Sequence, residues 1–361
     1  MMTKDEIIRR LSALSGDELN ALISIYRNHR PQKAICTEGE EVITIPEHVL
    51  AQMPYTNDRQ LKEIVNNFPT RLQPVSSPNK AFVAQCKQTY IDQCYCFDEV
   101  GETLVRKALE YASSYHMKPL LIYGGPGCGK THCLQVLSKM LGLHHERINV
   151  PLAAHGSGLA GEAGSYKNAS IGLIARAMVN AKSCNFQFSG DEIDKEENVD
   201  GRPSFSDQML KLLDDDAMTF FDNRLGFTIN ASHILFTFTA NETSKISAPL
   251  LDRCDAIEMP QRSKSNMEKI VREGVIAKSI TKAGGEIAFQ EAAIEHLIQA
   301  LWDDDGPPSI RTYQTIVSRC INTASFQSIC EEKNVSITVE DVKREINQAL
   351  IARKNKHRIG F

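Results

Sequence analysis

No stretch of this 361-residue chain is apolar for long enough to cross a bilayer. Its start, Met1-Met2-Thr3-Lys4-Asp5-Glu6, puts no apolar core behind a basic head and runs straight into a polar, helix-like pattern. Excess positive charge is missing as well. The formal net charge is −4 and the pI is near 6.2. Nucleic acid is therefore not indicated as an electrostatic partner, although a ring that is acidic outside and basic in its channel leaves it open. None of the ten cysteines forms a C-x-x-C pair. The closest two, Cys94 and Cys96, have no second cysteine pair or tight histidine pair nearby, so buried free thiols are expected rather than a zinc site. Internal repeats and low-complexity tracts are also lacking. A soluble cytoplasmic protein with no membrane partner is the expectation.

What is present is ordinary globular material, with 42% hydrophobic and 24% charged residues. The length suits two or three domains with at least one large core. Residues Lys4 to Tyr26 carry apolar side chains at helical spacing, broken at Ser15-Gly16-Asp17. Glu41-Val42-Ile43-Thr44-Ile45 reads as a short strand, and the stretch from Phe68 to Pro78 as a linker. Residues 1–78 thus form a small, mainly helical N-terminal region. A helix over Thr103–Ser114 then precedes the apolar strand Pro119–Tyr123, and strands and helices alternate to about Pro260. That alternation predicts an α/β domain over 79–260, a parallel sheet flanked by helices. The remainder, 261–361, reads as an α-helical lid.

The strongest signal is Gly124-Gly125-Pro126-Gly127-Cys128-Gly129-Lys130-Thr131, which fits G-x-x-x-x-G-K-[ST]. Its glycines let backbone N–H groups turn inward around phosphates. Lys130 brings positive charge to the β- and γ-phosphates, and Thr131 offers a hydroxyl to Mg²⁺. The helix beginning at His132 points its positive end at the same place. Cys128 is a small residue at a variable position, where oxidation would block the loop. A second constellation is Phe186-Gln187-Phe188-Ser189-Gly190-Asp191-Glu192, a strand ending in two acids. Asp191 is a candidate Mg²⁺ ligand, and Glu192 a candidate base for the attacking water. Gln187, Ser189 and Gly190 are unusual in such a strand and suggest one that is weak or half exposed. A third strand, His233–Ala240, ends in Asn241. If it lies between the other two strands, Asn241 stands beside the γ-phosphate; otherwise it caps a turn. Arg253, in Pro249-Leu250-Leu251-Asp252-Arg253, suits either a neighbour's phosphate, through its rigid fork, or a surface ion pair with Asp252 or Asp255. Arg311 opens a C-terminal helix after Ser309 and Ile310, and is either a nucleotide contact or an ordinary helix-start arginine.

This order of motifs resembles the AAA+ superfamily of P-loop NTPases, and within it the ATPase module of Lon proteases. The resemblance runs from about Leu120 to Ile321. It rests on Asp191-Glu192-Ile193-Asp194-Lys195, Ser206 to Asp214, Phe220-Phe221-Asp222-Asn223, Thr239-Ala240-Asn241, Pro249 to Arg253, and the lid pieces Ala292 to Leu297 and Ser309-Ile310-Arg311. It implies that Lys130 is the Walker A lysine and that Asp191 and Glu192 form Walker B. Asn241 becomes sensor 1, Arg253 the arginine finger and Arg311 sensor 2. ATP and Mg²⁺ are the implied cofactors, and a ring of identical subunits, six by family habit, the implied assembly. Gly164-Ser165-Tyr166-Lys167 sits where the family has a pore loop, so Tyr166 is a candidate for gripping a polypeptide, or else a plain loop tyrosine. The chain stops at Phe361, soon after the lid, so the protease domain of Lon is not expected, nor is proteolysis. The leading expectation is an ATP-hydrolysing motor that remodels or unfolds proteins. Two alternatives are a DNA-handling ATPase (a loader, transposition or defence factor) and a nucleotide-gated scaffold that hydrolyses slowly.

Overall fold

The computed structural model of the protein describes residues 41–53, 56–153, 158–162, 169–196, 204–283, 287–302, 309–331 and 335–358. The helices expected between Lys4 and Tyr26 lie outside these. The chain divides into two compact units. One comprises Met1–Thr89, Asp98–Tyr123 and Thr131–Glu258; the other comprises Tyr90–Phe97, Gly124–Lys130 and Met259–Phe361.

The first unit is built on strands β1 (Leu120–Tyr123), β2 (His145–Asn149), β3 (Gln187–Asp191), β4 (Phe220–Asp222), β5 (Phe227–Ile229), β6 (Leu235–Ala240) and β7 (Asp255–Glu258). Five of them form one sheet in the order β2-β3-β6-β1-β7, all parallel. Parallel neighbours need crossovers, and helices supply them, including Leu173–Ala181 and Phe205–Leu213. The central strands β3 and β6 are buried along their whole length, as a sheet covered on both faces requires. The β4–β5 pair is a separate antiparallel hairpin.

Local sequence explains the helix Glu99–Ser114. Asp98 caps its start by accepting the Gly101 N–H, Glu99 and Glu102 suit the first turn, and Tyr115 ends it in a left-handed conformation. Its buried face carries Leu104, Ala108 and Tyr111, and the Tyr111 hydroxyl donates to the His233 carbonyl at 2.6 Å. The stretch from Phe68 is no free linker. Phe68 and Leu72 are buried, the Cys184 N–H donates to the Arg71 carbonyl, and Gln73 and Asn185 exchange hydrogen bonds of 2.7 and 3.0 Å. Among the described residues, the expected strand at Glu41–Ile45 is reduced to a single bridge from Glu41 to Arg71, with the Val42 and Ile43 N–H groups both directed to the Thr70 carbonyl.

The second unit is largely helical, as expected. A helix from Lys264 widens into a π-helical stretch at Ile270–Ala277 and continues to Ala283. Helices Glu291–Leu301, Ile310–Glu331 and Val339–Arg358 follow. Their apolar faces meet around Val271, Leu297, Tyr313, Ile316, Val317 and Val342. The sequence pattern did not predict the short parallel pair β8 (Ile287–Phe289) and β9 (Val335–Ile337) inside this helical unit. Among the described residues, no helix is long and apolar enough to cross a membrane. No group of three or more His, Cys, Asp or Glu side chains there is placed to hold a metal. Nine of the described cysteines are in no disulfide: six are buried, Cys96 and Cys128 are half-buried and Cys330 is exposed.

Candidate nucleotide-binding site

The phosphate loop follows β1 and runs directly into the helix Lys130–Leu141. Gly127 and Gly129 hold φ values of 76° and 107°, a region in which side chains are strained. A Cβ on Gly127 would also lie 2.2 Å from the Ser309 Cβ, so glycine is required there twice over. Lys130 is buried, and its ammonium donates to the carbonyls of Gly124 at 2.7 Å and Gly125 at 2.9 Å. Gly125 has open space where a side chain would go, and Pro126 follows it at an exposed position. Cys128 accepts a hydrogen bond from Arg262 Nε through its carbonyl, at 3.4 Å. His132 occupies the first turn of the helix, half-buried. The helix Ile310–Glu331 starts against the same loop, its first N–H donating to the Gly127 carbonyl at 3.3 Å. Arg311 is thus one residue from a direct contact with the loop, with its side chain exposed.

Thr131, next in the chain after Lys130, donates its hydroxyl to Asp191 Oδ1 at 3.2 Å. Asp191 is buried at the end of β3 and takes a second bond on the same oxygen from Thr239, at 2.9 Å. Its other oxygen is paired with Arg147 Nε from the neighbouring strand β2. A hydroxyl beside a carboxylate is a hard oxygen set of the kind that suits Mg²⁺. Glu192 adopts a left-handed conformation, φ 60° and ψ 47°. For a residue with a side chain this costs roughly 1–3 kcal/mol and persists only when neighbours enforce it. Its N–H donates to Thr239 Oγ1 at 3.2 Å, and its carboxylate accepts from Lys195 at 2.8 Å.

Strand β6 lies between β1 and β3. Asn241 follows its last residue, so it stands at the same sheet edge as the two acids that end the parallel neighbour β3. Arg253 does not pair with Asp252 or Asp255. It grips Asp214, the C-cap of the helix Phe205–Leu213, through Nε at 2.6 Å and a terminal nitrogen at 3.0 Å. Tyr166 and the rest of Gly164–Lys167 lie outside the described residues.

Residues 120–261 match the model of the ATPase family associated with various cellular activities, AAA. This stretch is an AAA domain. Curated relatives share it. The chain is 27% identical over 256 residues to a peroxisomal Lon protease homolog 2 of Pichia angusta, covering 69% of this chain and 27% of that protein. It is 29% identical over 245 residues to a Lon protease of Porphyromonas gingivalis, covering 65% and 29% respectively. A peroxisomal Lon protease homolog 2 of Kluyveromyces lactis is 31% identical over 194 residues, 51% of this chain and 19% of that protein. The matched region therefore spans less than a third of these relatives.

The polar strand β3 is neither weak nor half exposed: it is buried along its whole length and paired on both sides. Gln187, Ser189 and Asp191 alternate along one face, in register with Thr237 on β6 and with His145 and Arg147 on β2. Gln187 donates to the Leu134 carbonyl at 2.9 Å and to Thr237 at 3.1 Å, while Ser189 bonds Thr237 and His145, each at 2.6 Å. The hydroxyls and the Gln187 amide nitrogen on this face thus find partners on the neighbouring strands and on the helix that follows the phosphate loop, while the buried Gln187 Oε1 has none. The opposite face is aromatic, with Phe188 and Phe236 edge to face at 6.0 Å. Sequence reasoning missed Arg147, Thr239 and Arg262 as site residues. The alternation of His145, Arg147 and Asn149 along β2 was the available signal for the first.

Proposed function

We propose that this AAA domain binds ATP and hydrolyses it, and that the chain works as a ring of identical subunits, six by family habit, that remodels a polypeptide partner. The observation that carries the ATPase reading is the contact of the Thr131 hydroxyl with the Asp191 carboxylate, directly after the phosphate-loop lysine. The loop amides from Gly124 to Lys130 and the Lys130 ammonium are assigned to the β- and γ-phosphates, with His132 in the helix turn behind them. Thr131 and Asp191 would hold Mg²⁺, which when bound neutralises charge on the phosphate oxygens. Glu192 accepts a proton from the water that attacks the γ-phosphorus, and Asn241 orients that water. Arg253 serves the neighbouring subunit, leaving Asp214 to place its guanidinium on charge that develops during transfer. Arg311, at the helix start bonded to the loop, is assigned to the same phosphates. We assign residues 79–260 to the α/β nucleotide-binding domain and 261–361 to the lid, with 1–78 as the N-terminal region.

A second reading, a nucleotide-gated scaffold with slow turnover, is favoured by one observation: a basic side chain occupies each acid, Arg147 on Asp191 and Lys195 on Glu192. The motor reading is tested by measuring ATP turnover with an unfolded polypeptide, single-stranded DNA or double-stranded DNA added. Stimulation by the polypeptide alone supports it. Stimulation by DNA alone transfers the chain to the DNA-handling class, and no stimulation by any of the three favours the scaffold.

A further inference from the structure

The hydroxyl of Thr239 touches both acids. A hydroxyl has one proton to give and lone pairs to accept with. The Asp191 carboxylate, paired with Arg147, accepts, so the proton of Thr239 lies toward Asp191 Oδ1 at 2.9 Å. A backbone N–H only donates, so the Glu192 N–H at 3.2 Å falls on a lone pair of the same oxygen. Both assignments are forced, and they are compatible. Thr239 is 2% exposed, so both bonds are shielded from bulk solvent. It also lies on β6, two residues before Asn241. Glu192, the acid whose backbone sits in the left-handed region, is held there by this bond and by the turn that the Lys195 N–H closes on the Glu192 carbonyl at 3.0 Å.

We propose that Thr239 is a positioning residue. Its hydroxyl fixes the carboxylate of Asp191 and the backbone of Glu192 to the strand that carries Asn241, so that metal ligand, base and water-orienting amide share one frame. This rests on the ATPase reading and adds a residue to it. Groups that orient a metal ligand from behind commonly matter about 10–100-fold in metal affinity or activity.

The test compares wild type with Thr239→Val and Thr239→Ser in the full chain. Valine keeps the volume and removes the hydroxyl; serine keeps the hydroxyl and removes a methyl. Positioning predicts that Thr239→Val lowers kcat roughly 10–100-fold while KM for ATP moves little, and that Thr239→Ser recovers most of the loss. A packing role predicts the reverse order, with valine near wild type and serine worse. The second readout, amide hydrogen exchange at Glu192 in the same three proteins, needs no turnover. Faster exchange in Thr239→Val, with protection retained in Thr239→Ser, supports the proposal. A Thr239→Val protein as fast as wild type, or equal Glu192 exchange in all three, overturns it. If wild type itself turns over no ATP, the ATPase reading fails separately, and the Glu192 exchange still decides whether Thr239 holds that residue.

Discussion

Arg253 and Asp214 face each other fork to fork, with two hydrogen bonds of 2.6 and 3.0 Å joining the ends of two helices. This geometry fixes the plane of the guanidinium while leaving it at the surface. Removing the arginine should leave nucleotide affinity nearly unchanged and lower turnover by on the order of 10³-fold. Mixing Arg253→Ala with Glu192→Gln subunits should restore part of the turnover, because an intact base then meets an intact arginine from its neighbour. Turnover in Arg253→Ala equal to wild type removes the finger assignment, and inactive mixtures remove its action across subunits.

Arg147 is paired with the Asp191 carboxylate, so it would compete with the Mg²⁺ assigned to that side chain. Replacing it by glutamine should lower the Mg²⁺ concentration needed for half-maximal nucleotide binding by about tenfold, the order expected for one charge removed near a partly screened site. A Mg²⁺ titration of binding checks this. An unchanged or raised requirement shows that Arg147 orients Asp191 instead of opposing the metal.

Glu192→Gln preserves shape and the backbone bond to Thr239 but cannot take a proton. It should bind ATP like wild type and turn over slower by on the order of 10²–10⁴-fold. Unchanged turnover excludes Glu192 as the base.

Much of this was legible in the residue order. The phosphate loop is a run of consecutive residues, so its chemistry needs no tertiary knowledge. The place of Asn241 was left conditional on its strand lying between the other two, which is where β6 lies. What could not be read depends on register between distant segments. Thr239 meets Asp191 across 48 residues and Arg147 meets it across 44, and only strand pairing brings either side chain into place. The polarity of β3 looked like weakness because its partners Leu134, Thr237 and His145 come from three other elements. The β8–β9 pair escaped for a different reason: three residues per strand leave no period to detect.

His145 supplies a pH signature. Burial pushes its imidazole down from 6.5 to about 4, against the pull of the Asp191 charge. The folded protein therefore binds this proton only at lower pH than the unfolded chain does. Between pH 6.5 and about 4 the unfolded state holds more protons, so stability falls as pH falls. The loss amounts to at most about 3 kcal/mol, complete near the lower value. Melting temperatures across this range should drop less for His145→Gln than for wild type. Parallel curves for the two proteins contradict the assignment.

The central claim is that a triphosphate bound at the loop after Tyr123 is cleaved there. The most direct measurement is the rate of phosphate release from ATP and Mg²⁺ by the assembled full chain, set against Lys130→Ala at equal concentration. Wild type should release phosphate steadily and Lys130→Ala none. Equal rates from the two proteins, or no release from either, contradict it.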